Sequence, residues 1–412
     1  MSLSAIDPDR IRRRLDDLWA IGHTDGGGVT RLAYSDEENA AFDYLRSELP
    51  DAYDVRTDSL GNLFATRDPD APESLYLGSH LDSVYNGGRL DGPLGVVTAL
   101  EAMEAIHASD ETPPRPPTLA VFRAEESARF GHHTIGSRGA LGRLTVDEFS
   151  ATDEEGVPLW LAMQQVGIHP ENLAAPTIDL DAAAGFLELH IEQGRVLDEA
   201  EESIGVVTGI RAPVRYRVTV TGEDDHSGAT PMGLRHDALA AAAEAILAVE
   251  RIGTDAAESG DLVATVGDVT AVEGAINKVC GEVTFPIDLR SNDEAYRDAV
   301  ESRMLEALAD VAERRAVEID PDSIDRSEPV ELDERVVDAL ADAAAATGVA
   351  YRRLPSGGGH DAMNFQLSGV PTGMVFVPSV DGISHSPAEE TDPAAIEAGT
   401  EVLARAILGD EF

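Results

Sequence analysis

Lysine is almost absent from the 412-residue sequence, in which Lys278 is the single example. Lysine and arginine together number 31, against 77 aspartate and glutamate residues, so the formal charge at pH 7 is −46. A protein that binds duplex nucleic acid needs a basic surface to neutralise phosphates. The charge therefore argues against nucleic acid as a partner.

Cysteine is equally scarce, because Cys280 stands alone. A single cysteine excludes internal disulfides and thiolate metal clusters. The first ten residues contain no apolar run that resembles a signal peptide, and no segment approaches about 18 uninterrupted apolar residues. We therefore expect a cytoplasmic protein with no membrane partner.

Acidic residues are distributed along the whole chain in short clusters such as Asp224-Asp225, and aromatic residues make up only 5% of the sequence. This pattern favours a halophilic protein, because salt shortens the Debye length to about 3 Å at 1 M and relieves repulsion across such a surface. The alternative is an unusually acidic protein that is not adapted to high salt concentration.

Strand-like and helix-like segments alternate over most of the chain, which predicts an α/β fold. Helices are expected from the capping pair Asp7-Pro8, after Ser35, and over 93–107, 336–347 and 393–408. The expected strands are 53–56, 62–66, 74–78, 118–123, 185–191 and 372–377.

The middle of the chain has a different texture. Apolar and polar residues alternate over 215–221, which is typical of a strand in a sheet with one solvated face. The elements expected after it are an alanine-rich helix near 234–251, strands at 262–272 and 282–289, a helix at 294–315 and a short closing strand at 317–319. The prediction is a smaller α+β domain of residues 210–326, inserted into a catalytic domain of residues 1–209 and 327–412.

Two strand ends carry residues suited to metal chemistry. His80 and Asp82 end one apolar strand on the same side, and Asp91 follows among glycines that leave room around one carboxylate before a helix. Another buried strand runs into Glu125 and Glu126, where one glutamate can bind a metal and the other can move a proton. Each pattern alone is more often structural.

Two further histidines complete the set. His190 ends a strand and is followed by Gln193, whereas His385 lies in a loop. Imidazoles and carboxylates together are the ligands of a pair of borderline divalent ions. The five candidate ligands are His80, Asp91, Glu126, His190 and His385.

Six strings of this sequence resemble the hydantoinase/carbamoylase amidases of the dinuclear M20 metallopeptidase superfamily, which include N-carbamoyl-L-amino acid hydrolases, β-ureidopropionases and allantoate amidohydrolases. The resemblance covers nearly the whole chain, from residue 28 to residue 385. The strings are Gly-Ser-His-Leu-Asp-Ser (78–83), Asn-Gly-Gly-Arg-Leu-Asp-Gly-Pro-Leu-Gly (86–95), Glu-Glu-Ser-Ala-Arg-Phe (125–130), His-Ile-Glu-Gln-Gly (190–194), His-Ser-Gly-Ala-Thr-Pro-Met (226–232) and Gly-Gly-His-Asp-Ala-Met (358–363).

The resemblance implies an aminopeptidase-like dimetal domain with a mixed sheet flanked by helices. It also implies that the inserted domain is a lid and the interface of a homodimer. His80 and His190 would bind one metal, Glu126 and His385 the other, and Asp91 would bridge them. Glu125 would be the general base, and Asp82 would support the site from behind His80. Each subunit is expected to bind two divalent ions. Zn²⁺ or Mn²⁺ is the expected metal, and Co²⁺ and Ni²⁺ are alternatives.

The substrate contacts also follow from the resemblance. His226 can donate to the oxyanion, and Arg290, taken to end the strand 283–289, can grip a carboxylate with two parallel hydrogen bonds. Asn277 and the backbone of Gly358 and Gly359 would complete that grip. Gln193 would face the carbamoyl end of the substrate.

The resemblance implies a metal-dependent amidohydrolase that cleaves the carbamoyl or ureido C–N bond of an N-carbamoyl-L-amino acid, with allantoate or a β-ureido acid as alternative substrates. Two other functions stay open. Lys278 and Cys280 would lie on one strand face, and cysteine amidases of the nitrilase type also cleave N-carbamoyl amino acids. That alternative leaves the other strings unexplained. A binding protein with a degenerate site is the second alternative, although every expected ligand and Glu125 are present.

Overall fold

A computed structural model describes residues 5–169 and 176–412. They form two compact units: the described residues up to Thr208 together with Glu331–Phe412, and Gly209–Val330. In chain order, the strands are β1 (Asp54–Thr57), β2 (Leu63–Thr66), β3 (Ser74–His80), β4 (Pro117–Phe122), β5 (Ala183–Ile191), β6 (Ile204–Ile210), β7 (Ala212–Thr221), β8 (Asp225–His226), β9 (Val263–Thr265), β10 (Thr270–Val272), β11 (Lys278–Val279), β12 (Glu282–Ser291), β13 (Glu318–Arg326), β14 (Val330–Glu331), β15 (Tyr351–Ser356) and β16 (Thr372–Val377).

The helices account for most of the remaining regular structure. They are α1 (Pro8–Ala20), α2 (Asp36–Glu48), α3 (Pro93–His107), α4 (Ile135–Ala140), α5 (Leu159–Gln165), α6 (Val196–Glu199), α7 (Ala238–Ala257), α8 (Glu294–Arg315), α9 (Glu334–Thr347), α10 (Asp361–Leu367) and α11 (Pro393–Ile407). Within the described ranges, no helix has the length and apolar character needed to cross a membrane.

A mixed sheet forms the centre of the first unit, with the strand order β1-β2-β4-β3-β5-β16-β6-β14 and β15 paired to β6. The four neighbours β4, β3, β5 and β16 run parallel, whereas β2 and β6 are antiparallel to them. The carboxyl ends of the four parallel strands therefore meet at one edge, which is where α/β sheets place ligands.

Helix α3 is buried on nearly every side, because its residues from Pro93 to Ile106 are apolar or small with few exceptions. The helix packs against β3 and β5. Its first turn follows Asp91 directly, so the burial of α3 fixes the position of that carboxylate relative to the sheet.

The second unit is an antiparallel sheet with the order β10-β12-β7-β13, in which β9 also pairs with β12. Apolar side chains of α7, α8 and β12 form its own core. Strands β8 and β11 make a separate two-stranded ribbon in which His226 lies opposite Lys278.

The predicted α/β class and mixed sheet are confirmed. The helix expected from residue 234 starts four residues later, because Asp237 caps it by accepting the N–H groups of Leu239 and Ala240. The closing strand expected at 317–319 extends to Arg326. Its acidic composition and Pro321 hid it, and an edge strand tolerates both.

Two strand assignments were wrong in detail. Arg290 lies inside β12, which continues to Ser291 and does not end at residue 289. Strand β11 covers only Lys278 and Val279, so Cys280 lies beyond it and does not share a strand face with the lysine.

Candidate dimetal centre

Each of the four parallel strands has a candidate ligand at its carboxyl end or in the segment that follows. His80 is the last residue of β3, Glu126 follows β4 by four residues, and His190 is the penultimate residue of β5. His385 lies in the loop after β16. The neighbouring strand ends thus bring together residues that are far apart in the sequence.

These side chains form two groups that share Asp91. The first is His80, Asp91 and His190, and the second is Asp91, Glu126 and His385; within each group the potential ligand atoms lie within 4.8 Å of one another. Oδ1 of Asp91 lies 3.1 Å from Nε2 of His190, whereas Oδ2 lies 3.3 Å from Nε2 of His385. One oxygen thus faces each group.

The two buried histidines have their Nδ1 atoms engaged. Nδ1 of His80 lies 3.1 Å from the backbone oxygen of Asp82, and Nδ1 of His190 lies 2.9 Å from that of Ile191. A hydrogen bond at Nδ1 leaves Nε2 for a metal and fixes the orientation of the ring. Both histidines therefore fit the requirements of a metal ligand.

The turn of residues 123–126 is held by buried side-chain acceptors. Oδ1 of Asn62 accepts the N–H of residue 123 at 2.9 Å, and Oε1 of Glu38 accepts that of residue 124 at 3.3 Å. The two carboxylate oxygens of Asp82 accept the N–H groups of residues 125 and 126, each at 3.0 Å. These contacts hold Ala124 at a φ of 55°, which is rare for a residue other than glycine.

The expected base, Glu125, lies beside the first group. Its Oε2 is 3.9 Å from Nε2 of His80, and the residue is 8% exposed. Burial raises the pKa of Glu125 well above its ordinary value, although the charge of His80 opposes this shift. A carboxyl group with a raised pKa is a stronger proton acceptor than an ordinary glutamate.

The shared aspartate and the second group have distinct electrostatics. Burial acts to raise the pKa of Asp91, but His190 and the other histidines outweigh it and hold that pKa well below its usual range. Burial, followed by the charge of Asp91, raises the pKa of Glu126 to about 7. The hydrogen bond with Asp91 raises the pKa of His385 to about 9. Asp91 is the anionic centre of the site.

Gly92 shows what the glycines around Asp91 accommodate. It has a φ of 82°, and an added Cβ would lie 2.5 Å from the ring of His80. The sequence suggested that these glycines leave room around Asp91 itself. At Gly92 the ring of His80 occupies the space that a side chain would need.

Gln193 and the glycine pair also lie in the first unit. Nε2 of Gln193 donates to Oδ2 of Asp91 at 2.7 Å, and a Cβ added at Gly358 would lie 3.2 Å from Oε1 of Gln193. Gly359 lies near Met363 and His133. Gln193 therefore contacts the shared aspartate directly, a contact that the sequence did not predict.

The sequence interpretation overlooked His360. Its ring lies 4.7 Å from that of His190, and its Nε2 lies 2.9 Å from Oγ of Ser356. Burial lowers the pKa of His360 well below its ordinary value, and the nearby charge of His190 adds to this. The place of His360 in the Gly-Gly-His-Asp string was the sequence signal that could have identified it as a residue of the site.

The predicted substrate contacts His226, Asn277 and Arg290 lie in the second unit. His226 is exposed, and its Nδ1 accepts the N–H of Gly228 at 3.0 Å. Asn277 is also exposed. Arg290 donates through Nε and Nη2 to the two carboxylate oxygens of Asp288, at 2.8 and 3.0 Å. The fork of Arg290 is thus already paired within its own strand.

The environment of Cys280 does not resemble a nucleophile site. The thiol is buried and donates to the carbonyl of Glu282 at 3.2 Å, and Lys278 pairs with Asp224 at 2.7 Å. These partners give the cysteine-amidase alternative no support.

Two groups of candidate ligands, each containing histidine and carboxylate, lie at the edge of the mixed sheet and share Asp91. This arrangement is typical of a two-metal hydrolase. Residues 76–409 match the model of Peptidase family M20/M25/M40. The chain is 39% identical to the N-carbamoyl-L-amino-acid amidohydrolase of Paenarthrobacter aurescens over 98% of both chains. It is 34% identical to the allantoate amidohydrolase of Escherichia coli K12 over 96% of both.

Among solved structures, a hydantoinase/carbamoylase family amidase from Burkholderia ambifaria has a TM-score of 0.90 at 36% identity, with 98% of this chain and 97% of that chain covered. The chain belongs to Peptidase family M20/M25/M40, a family of dinuclear metal enzymes. The predictions of this family, of its fold and of a hydrolase are confirmed.

Proposed function

We propose that this protein is an amidohydrolase that cleaves the carbamoyl C–N bond of an N-carbamoyl-L-amino acid, releasing the amino acid, ammonia and carbon dioxide. The observation that carries the proposal is the pair of ligand groups around Asp91 with the buried Glu125 beside them. The relative at 39% identity, named for this activity, supports the choice of substrate class.

His80, Asp91 and His190 would hold one divalent ion, and Asp91, Glu126 and His385 the other. Bound ions of this kind lower the pKa of water and polarise a carbonyl. The mixed imidazole and carboxylate set suits Zn²⁺ or Mn²⁺, and Co²⁺ or Ni²⁺ are compatible with the same ligands.

Glu125 accepts the proton of the attacking water on its carboxylate and returns it to the departing nitrogen. Its buried position favours the protonated form between these two transfers. Asp82 orients Glu125 through the backbone hydrogen bond and also lies against His80. We assign Asp82 a supporting role for both residues.

We assign the recognition of the substrate to the residues that the family resemblance singled out. Arg290 and Asn277 hold the substrate carboxylate, together with the backbone of Gly358 and Gly359, and His226 donates to the developing oxyanion. Gln193 orients the carbamoyl group. Residues 210–326 act as a lid and as the interface of a homodimer, which light scattering of the purified protein would detect as twice the chain mass.

Allantoate is the second candidate substrate, because the allantoate amidohydrolase of E. coli K12 is similar over 96% of both chains. A β-ureido acid is the third. Ammonia release should be measured with an N-carbamoyl-L-amino acid, allantoate and β-ureidopropionate at equal concentrations. The proposal requires the highest kcat/KM for the first compound, and activity that EDTA abolishes. Activity that survives EDTA and is lost with iodoacetamide would refute it.

A further inference from the structure

Glu389 is a buried carboxylate that has no role in the proposed mechanism. It is 3% exposed and lies four residues after His385, in the loop between β16 and α11. Its Oε1 accepts the backbone N–H of Leu90 at 2.7 Å and that of Asp91 at 3.0 Å. The carboxylate therefore reaches from one ligand-bearing loop to the other, across almost 300 residues of sequence.

Ser384 strengthens the same connection. Its Oγ lies 3.1 Å from Oδ2 of Asp91 and 3.3 Å from Oε2 of Glu389. Both oxygens of Glu389 are thus engaged with the surroundings of Asp91. Contacts of this kind hold a bridging ligand in place, because a site with two ions tolerates only small displacements of the group between them.

Gly88 is shaped to this contact. A Cβ added at Gly88 would overlap the carboxyl group of Glu389, whose atoms are its three nearest neighbours. The backbone of Gly88 is not in the left-handed region, so the absence of a side chain there serves the approach of Glu389 and not a turn.

We infer that Glu389 is a positioning residue that fixes the backbone of Asp91 and joins the loops carrying Asp91 and His385. The inference rests on the metal centre of the proposed function, but its test does not depend on any substrate. Removing the carboxyl group would leave two buried N–H donors without their acceptor and would release both loops.

The test is Zn²⁺ binding to the metal-depleted full-length protein, measured by competition with a chromophoric chelator. Glu389→Ala should weaken binding by about 10- to 100-fold, the range found for groups that orient metal ligands. Glu389→Gln should bind close to the wild type, because its amide oxygen can accept both N–H groups. Gly88→Ala should also weaken binding, because its methyl group displaces Glu389.

Glu101→Ala is the matched control. Glu101 is a fully buried carboxylate that accepts the N–H of Asp7 at 2.7 Å and pairs with Arg10. The control should lose stability yet keep its Zn²⁺ affinity. Adding Gly88→Ala to Glu389→Ala should cause no further loss of affinity, because both changes act on one contact.

The outcomes separate this inference from the proposed function. Wild-type affinity in Glu389→Ala, or an equal loss in Glu389→Gln, would overturn the positioning role even if the enzyme hydrolyses carbamoyl substrates. If the wild type hydrolyses none of the three substrates while the variants show the expected order of affinities, the proposed function fails and the positioning role stands.

Discussion

Glu125 and Glu126 are neighbours in the chain, but their carboxyl groups have different surroundings. Glu125 approaches His80 at 3.9 Å, whereas Oε1 of Glu126 lies 3.4 Å from Nε2 of His385. Asp82 fixes the backbone of both. The different surroundings suit two different roles, a base and a metal ligand.

Glu125→Gln should keep both metal sites and lose most of the turnover, by about 10²- to 10⁴-fold, because a positioned proton carrier contributes that much. Metal content by elemental analysis and kcat on the best substrate are the two measurements. Glu126→Gln is the matched variant, and it should lose metal as well as activity. Loss of metal from Glu125→Gln would contradict its role as the base.

Arg290 tests the recognition of the substrate carboxylate. Arg290→Ala should raise KM by about 10- to 100-fold for carboxylate substrates with a smaller change in kcat, because a hydrogen bond to a charged group is lost. Arg215→Ala is the control, since Arg215 also pairs with Asp288, at 2.9 Å. An equal rise in KM for both variants would show that the effect comes from Asp288 and not from a substrate contact.

Among the elements, the turn after β4 shows how the fold presents reactive groups. Ala124 adopts a left-handed conformation between two regular segments, and acceptors from α2, from the residue preceding β2 and from the loop after β3 hold the N–H groups of this turn. An unfavourable backbone conformation persists where several surrounding contacts fix it in place. Adjacent glutamates indicated a site, but nothing in the local sequence indicated this support.

Helices α1 and α2 are joined by a carboxylate that makes stability depend on pH. Glu48 accepts hydrogen bonds from Arg13 at 2.6 Å and Arg14 at 3.1 Å. The bond from Arg13 lowers the pKa of Glu48, and burial only partly opposes this. A lowered pKa in the folded state means that the stabilisation is present above the unfolded pKa, about 4.3, and is lost as the pH falls through the folded value.

Glu48→Gln should therefore lower the free energy of unfolding by about 0.5–1 kcal/mol at pH 7, with the difference from wild type shrinking below pH 4. Urea unfolding at several pH values and constant salt measures it. Asp43→Asn changes an exposed carboxylate on the same helix and should give a smaller difference at pH 7. A difference for Glu48→Gln that grows as the pH falls would reverse the assigned sign.

For the molecule as a whole, a net charge of −46 predicts a marked response to salt. Self-repulsion destabilises the folded state at low ionic strength, and the Debye length falls from about 10 Å at 0.1 M to about 3 Å at 1 M. The Tm should rise continuously as KCl approaches molar concentration. Sucrose at matched osmolality is the control, because it is excluded from protein surfaces without screening charge. A Tm indifferent to KCl would contradict the halophilic interpretation.

The anionic substrate proposed for this protein must also approach an anionic surface. Salt should lower KM for a carboxylate substrate, because screening reduces repulsion during approach. In the described part of the chain, many arginines pair with acidic groups, as Arg14 does with Glu104 at 3.1 Å. Because 77 acidic residues face only 31 lysines and arginines, such pairs neutralise only part of the acidic charge.

The chain's motifs were enough to predict the family and the α/β class, and they also supplied the five candidate ligands, because these depend on local strings such as His-x-Asp and on the alternation of strands and helices. Short polar elements were missed. Strand β15 contains two arginines and a proline, and helix α10 has seven residues, so neither shows a clear hydrophobic period.

The tertiary structure decided which residues meet. His80, Glu126, His190 and His385 belong to separate strand ends, and the parallel order β4-β3-β5-β16 brings them to one edge. The contact of Glu389 with the backbone of Asp91 and the space left by Gly88 had no local signal, because each depends on segments about 300 residues apart. Short sequence motifs determine which reactive residue types are present, whereas long-range packing determines which partners a buried group contacts.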